Sequence, residues 1–296
     1  MDAELLDTTY LVGDRFAAFA TKDRVETVNR FIGNVRSGLC DGLAEPVRLV
    51  AGQGVDESDW DTVRAELSRR GLLDRFLLPT RLPAVVPAAD VHKRRDENVL
   101  LADVERRGPT TLAARLRLSD RNELVTDHVT GQHLSGMVVI EAGRQSILAA
   151  TKAFVFTASA ESASAKSNLA EPAVAESDFA MVLGSLNVAF ERYVFPIAAE
   201  LVVELVKLAT SKPARMEFTA EVVVTQCGEV AARLAAEFQI VRARGLARQE
   251  ETLAGRAIEA HAAAERDHGP VSPPAATRVC ASTAGLRSPA RVGLSS

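Results

Sequence analysis

The stretch from residue 136 to residue 156 constrains the fold more than any other part of the sequence. It is apolar over most of its length and too long for a single buried strand, so we predict a buried helix. Several strand candidates follow this helix, and the last two are joined by a turn-forming sequence at residues 226–229. These candidates are residues 181–192, 199–208, 215–225 and 231–241. One apolar helix followed by a run of antiparallel strands predicts an α+β fold in which a sheet wraps around the helix.

The region before this helix contains a different pattern. Residues 1–79 alternate between strand and helix signals, so we predict a small α/β module of unknown role. Its predicted strands are residues 9–12 and 47–51, and its predicted helices are residues 23–39 and 58–70. A proline-rich segment at residues 78–89 then leads into a second domain at residues 84–245. We expect a protein that starts near Ala84 to stay folded.

The second domain opens with strand candidates at residues 91–102 and 111–118, and a polar loop is predicted at residues 157–173. Residues 248–296 form the third region. We predict a short helix there that ends near residue 266, followed by a disordered tail rich in proline, serine, alanine and arginine.

Composition and charge exclude several functional classes. The chain has 47% hydrophobic and 25% charged residues with a net charge of −4, so nothing indicates a nucleic-acid or membrane-surface partner. Three widely spaced cysteines favour a reducing compartment over a disulfide framework or zinc site. The first residues lack the pattern of a signal peptide, and no uncharged apolar stretch is long enough to span a membrane. We therefore expect a cytoplasmic protein without a cofactor or a metal.

Residues 127–145 carry the side chains best suited to chemistry. Two histidines precede the predicted helix start at Gly136, and Glu141, Arg144 and Gln145 share one face of the helix. Charged groups on such an apolar helix are either paired or functional. The free N–H groups at the helix start could polarise a thioester carbonyl, and the loop histidines could act as base or acid.

These residues resemble two known families. The order of histidine, glycine, glutamate and glutamine is similar to that of the β-hydroxyacyl-carrier-protein dehydratases, which are the more distant match. The chain resembles more closely the A-factor (γ-butyrolactone) biosynthesis hot-dog family, also called AfsA-like. The matching residues are Val91-His92-Lys93, the segment 97–101, Asp127-His128, His133, Gly136-Met137 and Glu141-Ala142-Gly143-Arg144-Gln145.

The resemblance implies a hot-dog fold, which is an antiparallel sheet wrapped around a long central helix, and an acyltransferase of secondary metabolism. A β-ketoacyl chain on acyl carrier protein, or on coenzyme A, would pass to the hydroxyl of glycerone phosphate, and the product would close to a butenolide phosphate. His128 or Glu141 would take the hydroxyl proton, and Arg144 would bind the phosphate or the enolate. The expected substrate-binding residues are His133, Gly136, Met137, Gln145, His92 and Lys93. Members of the family typically carry two copies of the motif and this chain has one, so we expect a homodimer.

The same residues also fit other interpretations. The single copy also fits a hot-dog dehydratase or thioesterase on acyl thioesters, and a non-catalytic acyl-binding module is a third candidate. Glu141 and Arg144 could form a simple intrahelical ion pair. His133 could cap the helix start, and His92 and Lys93 could merely begin an edge strand. Gly52-Gln53-Gly54 is interpreted as a turn, because it lacks the rest of a phosphate-binding motif.

Overall fold

A parallel sheet forms the first part of the chain. The structure is a computed structural model that describes residues 7–127, 131–156, 178–208 and 215–267. Its first four strands are β1 (Thr8–Val12), β2 (Val25–Thr27), β3 (Val47–Ala51) and β4 (Phe76–Leu77). They lie in the order β2-β1-β3-β4, and every pairing is parallel.

Two helices cover this sheet, and side chains define where each begins. Helix α1 (Val28–Ser37) starts at Thr27, whose hydroxyl accepts a hydrogen bond from the Arg30 amide, and helix α2 (Glu57–Arg69) starts with a capping box. The predicted helix at residues 23–39 was wrong at its beginning, since residues 25–27 pair with β1. Two β-branched residues within these three positions favour the strand.

The hot-dog domain is a six-stranded antiparallel sheet wrapped around one long helix. Its strands lie in the order β5-β6-β8-β9-β10-β7. They are β5 (Leu101–Arg106), β6 (Thr111–Leu116), β7 (Phe179–Phe190), β8 (Glu200–Leu208), β9 (Arg215–Gln226) and β10 (Glu229–Arg242). A short helix, α3 (Glu123–Thr126), precedes the central helix α4 (Gly136–Thr151), which ends in a π-helical turn at Lys152–Phe156. The predicted helix, the four later strands and the α+β class are confirmed.

Helix α4 packs closely against the sheet. Val138, Ala142 and Ile147 on the helix belong to the same buried cluster as Leu234 on β10. A Cβ atom on Gly143 would lie 2.5 Å from Cδ2 of Leu234, so glycine allows this strand to approach the helix. Strand β10 follows β9 through a two-residue turn at Cys227 and Gly228, both with positive φ angles, as hairpin turns of this length require.

The predicted strand at residues 91–102 was wrong. Most of this segment is irregular and includes 3-10 turns at Ala88–Val91 and Asp96–Asn98, and the strand begins only at Leu101. His92 has a left-handed backbone conformation (φ 54°), which interrupts any extended run. The irregular segment lies against α4, where the side chain of Gln145, and not a neighbouring strand, forms hydrogen bonds with part of its backbone.

Gln53 connects the two sheets. Its buried side chain donates to the carbonyls of Leu116 and Ile197 (both 3.1 Å) and accepts from the Leu118 amide at 2.7 Å. Residues 1–246 form one compact unit. The predicted domain boundary at residues 79–84 and independent folding beyond it stay predictions.

A second unit begins at Ala247. Helix α5 (Ala243–Asp267) extends into it and slightly exceeds the predicted helix. The predicted tail from residue 269 and the predicted loop at residues 157–173 lie outside the described residues. Within the parts of the chain that the structure describes, no helix combines the length and the apolar character needed to cross a membrane.

Candidate functional site

Glu141 is the centre of a charged network on the helix α4. Its carboxylate accepts two hydrogen bonds from Arg144, at 2.7 Å from Nε and 2.8 Å from Nη2. Lys93 lies 2.8 Å from Oε1 of Glu141, and Gln145 donates to the same oxygen at 3.0 Å. The side chains of Glu141, Lys93 and Arg144 are 16%, 27% and 33% exposed. The network therefore joins one carboxylate to two cations, a net charge of +1, in a half-buried setting.

The network also fixes the protonation state of Glu141. Burial acts to raise its pKa, but hydrogen bonds from Arg144, Lys93 and Gln145 outweigh burial and lower the pKa to about 2. Glu141 raises the pKa of Arg144 in turn, mainly through their hydrogen bonds. A carboxylate with so low a pKa is a weak base near neutral pH. Its geometry is that of an anion that orients two cations, and its predicted role in proton transfer stays a prediction.

Gln145 anchors the network to the neighbouring backbone. It is fully buried, accepts from the Leu100 amide at 2.8 Å and donates to the Asn98 carbonyl at 2.9 Å. The oxygen and the nitrogen of its side-chain amide therefore both form hydrogen bonds within the protein. Gln145 is thus placed to hold Glu141 and the segment before β5 together, and it does not face an open cavity.

His92 and Lys93 reach this site from the irregular segment before β5. His92 lines a small cavity of about 90 Å³ together with Arg144, Leu148, Leu183 and Phe238. Arg144 also donates to the carbonyl of Val91 at 3.4 Å. The structure therefore brings His92, Lys93, Glu141, Arg144 and Gln145 together, although the first two are distant in sequence from the others.

A larger cavity of about 840 Å³ lies at the start of α4. His133 and Gly136 line it, and the His133 ring lies 4.4 Å from the Tyr193 ring, measured between centroids. Ser135 occupies the N-cap position, and its own side chain makes no capping hydrogen bond; the alternative that His133 caps the helix start stays a prediction. A Cβ atom on Gly136 would lie 3.0 Å from Cζ of Phe190. The first amides of α4 therefore lie close to an aromatic cavity.

Three aromatic residues that line this cavity were not identified from the sequence: Phe190, Tyr193 and Phe195. Phe190 ends β7, and the other two lie in the connection to β8. Exposed aromatic residues at such a connection were the available signal. Met137, a predicted substrate-binding residue, is largely exposed on the outer face of α4 and lines neither cavity. His128 lies outside the described residues.

The described residues include no group of three histidine, cysteine or acidic side chains that could hold a metal ion. The fold and the site together define a hot-dog protein, in which a central helix carries polar groups inside a wrapped antiparallel sheet.

The A-factor biosynthesis hotdog domain matches residues 78–242, which is more than half of the chain. The chain belongs to this family, as its motifs predicted, and its function is related to acyl thioesters.

Solved structures of similar shape cover about half of the chain, but at low scores. A mutant thioesterase from Pseudomonas aeruginosa has 13% identity over 55% of this chain and 97% of its own, with a TM-score of 0.35. AziG from S. sahachiroi has 17% identity over 48% and 91%, with a TM-score of 0.31. A mutant thioesterase from Staphylococcus aureus has 9% identity over 47% and 92%, with a TM-score of 0.29. No protein with a curated description matches the chain.

Proposed function

We propose that this protein transfers a β-ketoacyl chain from a carrier-protein or coenzyme A thioester to the hydroxyl of a small phosphorylated acceptor such as glycerone phosphate. The observation that carries this proposal is the network of Glu141, Arg144 and Lys93 on the central helix. Its net positive charge suits a phosphate, and the planar fork of Arg144 suits bidentate binding of phosphate oxygens. Simple hydrolysis of a thioester has no need for such a group.

The dimensions of α4 support this arrangement. Arg144 forms an ion pair with Glu141, and at 1.5 Å per residue Glu141 is about 7.5 Å along the axis from Gly136. The thioester oxygen would lie at the free amides of the helix start, and the acceptor phosphate would lie at the cations about one and a half turns further on. The cavity beside Phe190 and Tyr193 would hold the acyl chain.

The transfer balances without any further reactant. The bond between the acyl carbon and sulfur breaks, and an ester bond forms between that carbon and the acceptor oxygen. The hydroxyl proton passes to a base and then to the leaving thiolate. His133 is the described histidine nearest the helix start, and His128 is the other candidate from the sequence. Glu141 would hold Arg144 and Lys93 in position.

Mass spectrometry can test the reaction directly. The protein is mixed with β-ketoacyl-carrier protein, with and without glycerone phosphate. We expect loss of the acyl chain from the carrier only when glycerone phosphate is present, together with an acylated phosphate product. Release of free β-keto acid without the acceptor would identify a thioesterase. Loss of water from a β-hydroxyacyl-carrier protein would identify a dehydratase, and stable binding without turnover would identify an acyl-binding module.

A matched pair of variants tests the part played by Arg144. Arg144→Lys keeps the charge and loses the fork, so the KM for the acceptor should rise about tenfold or more while kcat changes less. Arg36→Lys is the control, because Arg36 also makes two hydrogen bonds to a glutamate, Glu66, but lies on α1. An unchanged acceptor KM in Arg144→Lys would contradict the phosphate-binding role.

A further inference from the structure

A second cleft, of about 420 Å³, lies beside β3 and faces the end of β6. Its walls are β3, the segment after β4 and residues 115–117 of the hot-dog sheet. It shares no lining residue with either cavity near α4. The cleft is therefore a separate site, and a ligand could bind there whether or not the proposed acyl transfer takes place at α4.

The charged residues that line this cleft are all positive. Its lining includes four arginines and no acidic residue; the arginines are Arg48, Arg81, Arg115 and Arg117. Arg81 and Arg115 share one carboxylate, that of Asp103. Among the residues that the structure describes, the guanidinium groups of Arg48 and Arg117 have no hydrogen bond and no ion pair. Two cations thus remain available to a ligand.

Arg117 is the more informative of the two. Burial lowers its pKa, and the acidic residues Asp56, Glu57 and Asp59 of the α2 start act in the opposite direction from beyond ion-pair distance. A half-buried guanidinium without a protein partner has lost part of its hydration, so a hydrogen-bond acceptor beside it would be favourable. An anion in the cleft would supply that partner.

The cleft also occupies a favourable place in the parallel sheet. Ligands of such sheets bind outside the carboxyl ends of the strands, where neighbouring connections leave a crevice. Between β1 and β3 this crevice is filled, since the Asp120 carboxylate lies so close to Gly13 and Gly54 that a Cβ on either would be 2.2 Å from Oδ1. Strand β4 pairs with only Val47 and Arg48, so on the side away from β1 the rest of β3 has no strand partner and borders the cleft.

The floor of the cleft is apolar. Leu49, Val55, Leu82 and Leu116 are buried side chains that line it. A cleft of this volume accommodates a small molecule. We propose that it binds a small amphiphilic anion, in which a phosphate or carboxylate contacts Arg48 and Arg117 and a short apolar group lies on the leucine floor.

Isothermal titration calorimetry with octyl phosphate, below its micelle concentration, tests this proposal on the full chain. Inorganic phosphate and octanoate are the companion probes. We expect octyl phosphate to bind at least tenfold more tightly than inorganic phosphate, because the apolar group adds burial. Octanoate binding more tightly than octyl phosphate would identify the preferred anionic group as a carboxylate. Equal affinity for octyl phosphate and inorganic phosphate, or no binding of any probe, would overturn the proposal.

Four substitutions locate the binding. Arg117→Met should weaken octyl phosphate binding about tenfold or more, because it removes a charge-assisted hydrogen bond. Arg48→Met should weaken it as well, and its exposed position keeps the test decisive if Arg117→Met does not fold. Arg121→Met is the control, since Arg121 is exposed and lies outside the cleft. Binding that is unchanged by both cleft variants, or that is lost in Tyr193→Ala instead, would refute the assignment.

Discussion

Replacement of Glu141 by glutamine tests the charged network most directly. The pKa of Glu141 is about 2, against an ordinary value of 4.5, because its hydrogen bonds outweigh its burial. This difference corresponds to about 3 kcal/mol in favour of the folded, charged form. Glutamine removes the charge and points an N–H group at one of the donors that Glu141 now accepts from. We therefore expect Glu141→Gln to lower the free energy of unfolding by about 3 kcal/mol at pH 7.

The pH dependence of this effect gives a second measurement. The folded-state pKa of Glu141 is depressed, so its contribution is fully present above about pH 4.5 and is lost as the pH falls towards 2. Urea unfolding of the wild-type protein and the variant should show a difference that is constant from pH 7 to about 5. The difference should shrink steadily below that pH.

Glu123→Gln is the matched control. Glu123 pairs with Arg95 at 3.2 Å, and both side chains are 64% exposed, so its replacement should change stability by less than about 1 kcal/mol. Equal stability of Glu141→Gln and wild type at pH 7 would refute the reasoning. A difference that persists unchanged at pH 3 would also refute it, since the effect would then come from packing and not from charge.

Three further expectations concern packing, burial and assembly. Gly143→Ala should lower the free energy of unfolding by about 1–3 kcal/mol, because the added Cβ would clash with Leu234. Gly33→Ala in α1 is the control and should raise it by up to about 1 kcal/mol, because the added Cβ meets no atom within 4 Å. Equal effects of the two substitutions in urea unfolding would contradict this expectation. Burial raises the pKa of Asp120 to about 6, so the folded protein favours the protonated carboxyl. The stability that the protonated form contributes is fully present below about pH 4 and is lost as the pH rises through 6. Asp120→Asn should therefore stabilise the protein by about 1–3 kcal/mol at pH 8 and by nothing near pH 4, and thermal melting at both pH values checks the sign. We also expect a homodimer, because β7 is a 12-residue edge strand with exposed apolar side chains, and light scattering that shows a monomer at micromolar concentration would count against it.

The central part of the fold could be predicted because its signals are local. The length and apolar character of α4 distinguish it from a strand, and the β9–β10 hairpin is marked by a turn sequence between two strands. The error at residues 91–102 has a long-range cause. Gln145 supplies hydrogen bonds to the backbone of Asn98 and Leu100, so this segment does not need a strand partner. No local pattern reports such a contact.

The candidate site was predictable in part for the same reason. Glu141, Arg144 and Gln145 are three and four residues apart, so helical spacing placed them on one face. The motif, and not the periodicity, indicated His92 and Lys93, and only the fold shows Lys93 on Glu141. Tyr193 was missed because its contact with His133 joins two loops that are 60 residues apart. Loop-to-loop proximity depends on the whole sheet and leaves little trace in a sequence.

A change in composition along the chain does not show whether the two sheets share a core at their junction. The prolines near residue 79 mark a change in composition, yet Val12 and Phe16 of the first region belong to the hydrophobic cluster of the hot-dog core. Gln53 also satisfies backbone groups of Leu116, Leu118 and Ile197. A protein that starts near residue 84 would have to replace these hydrogen bonds with water and expose apolar surface that Phe16 now covers. Independent folding from that residue therefore requires the hot-dog core to offset both losses by itself, although the sequence pattern changes sharply at that point.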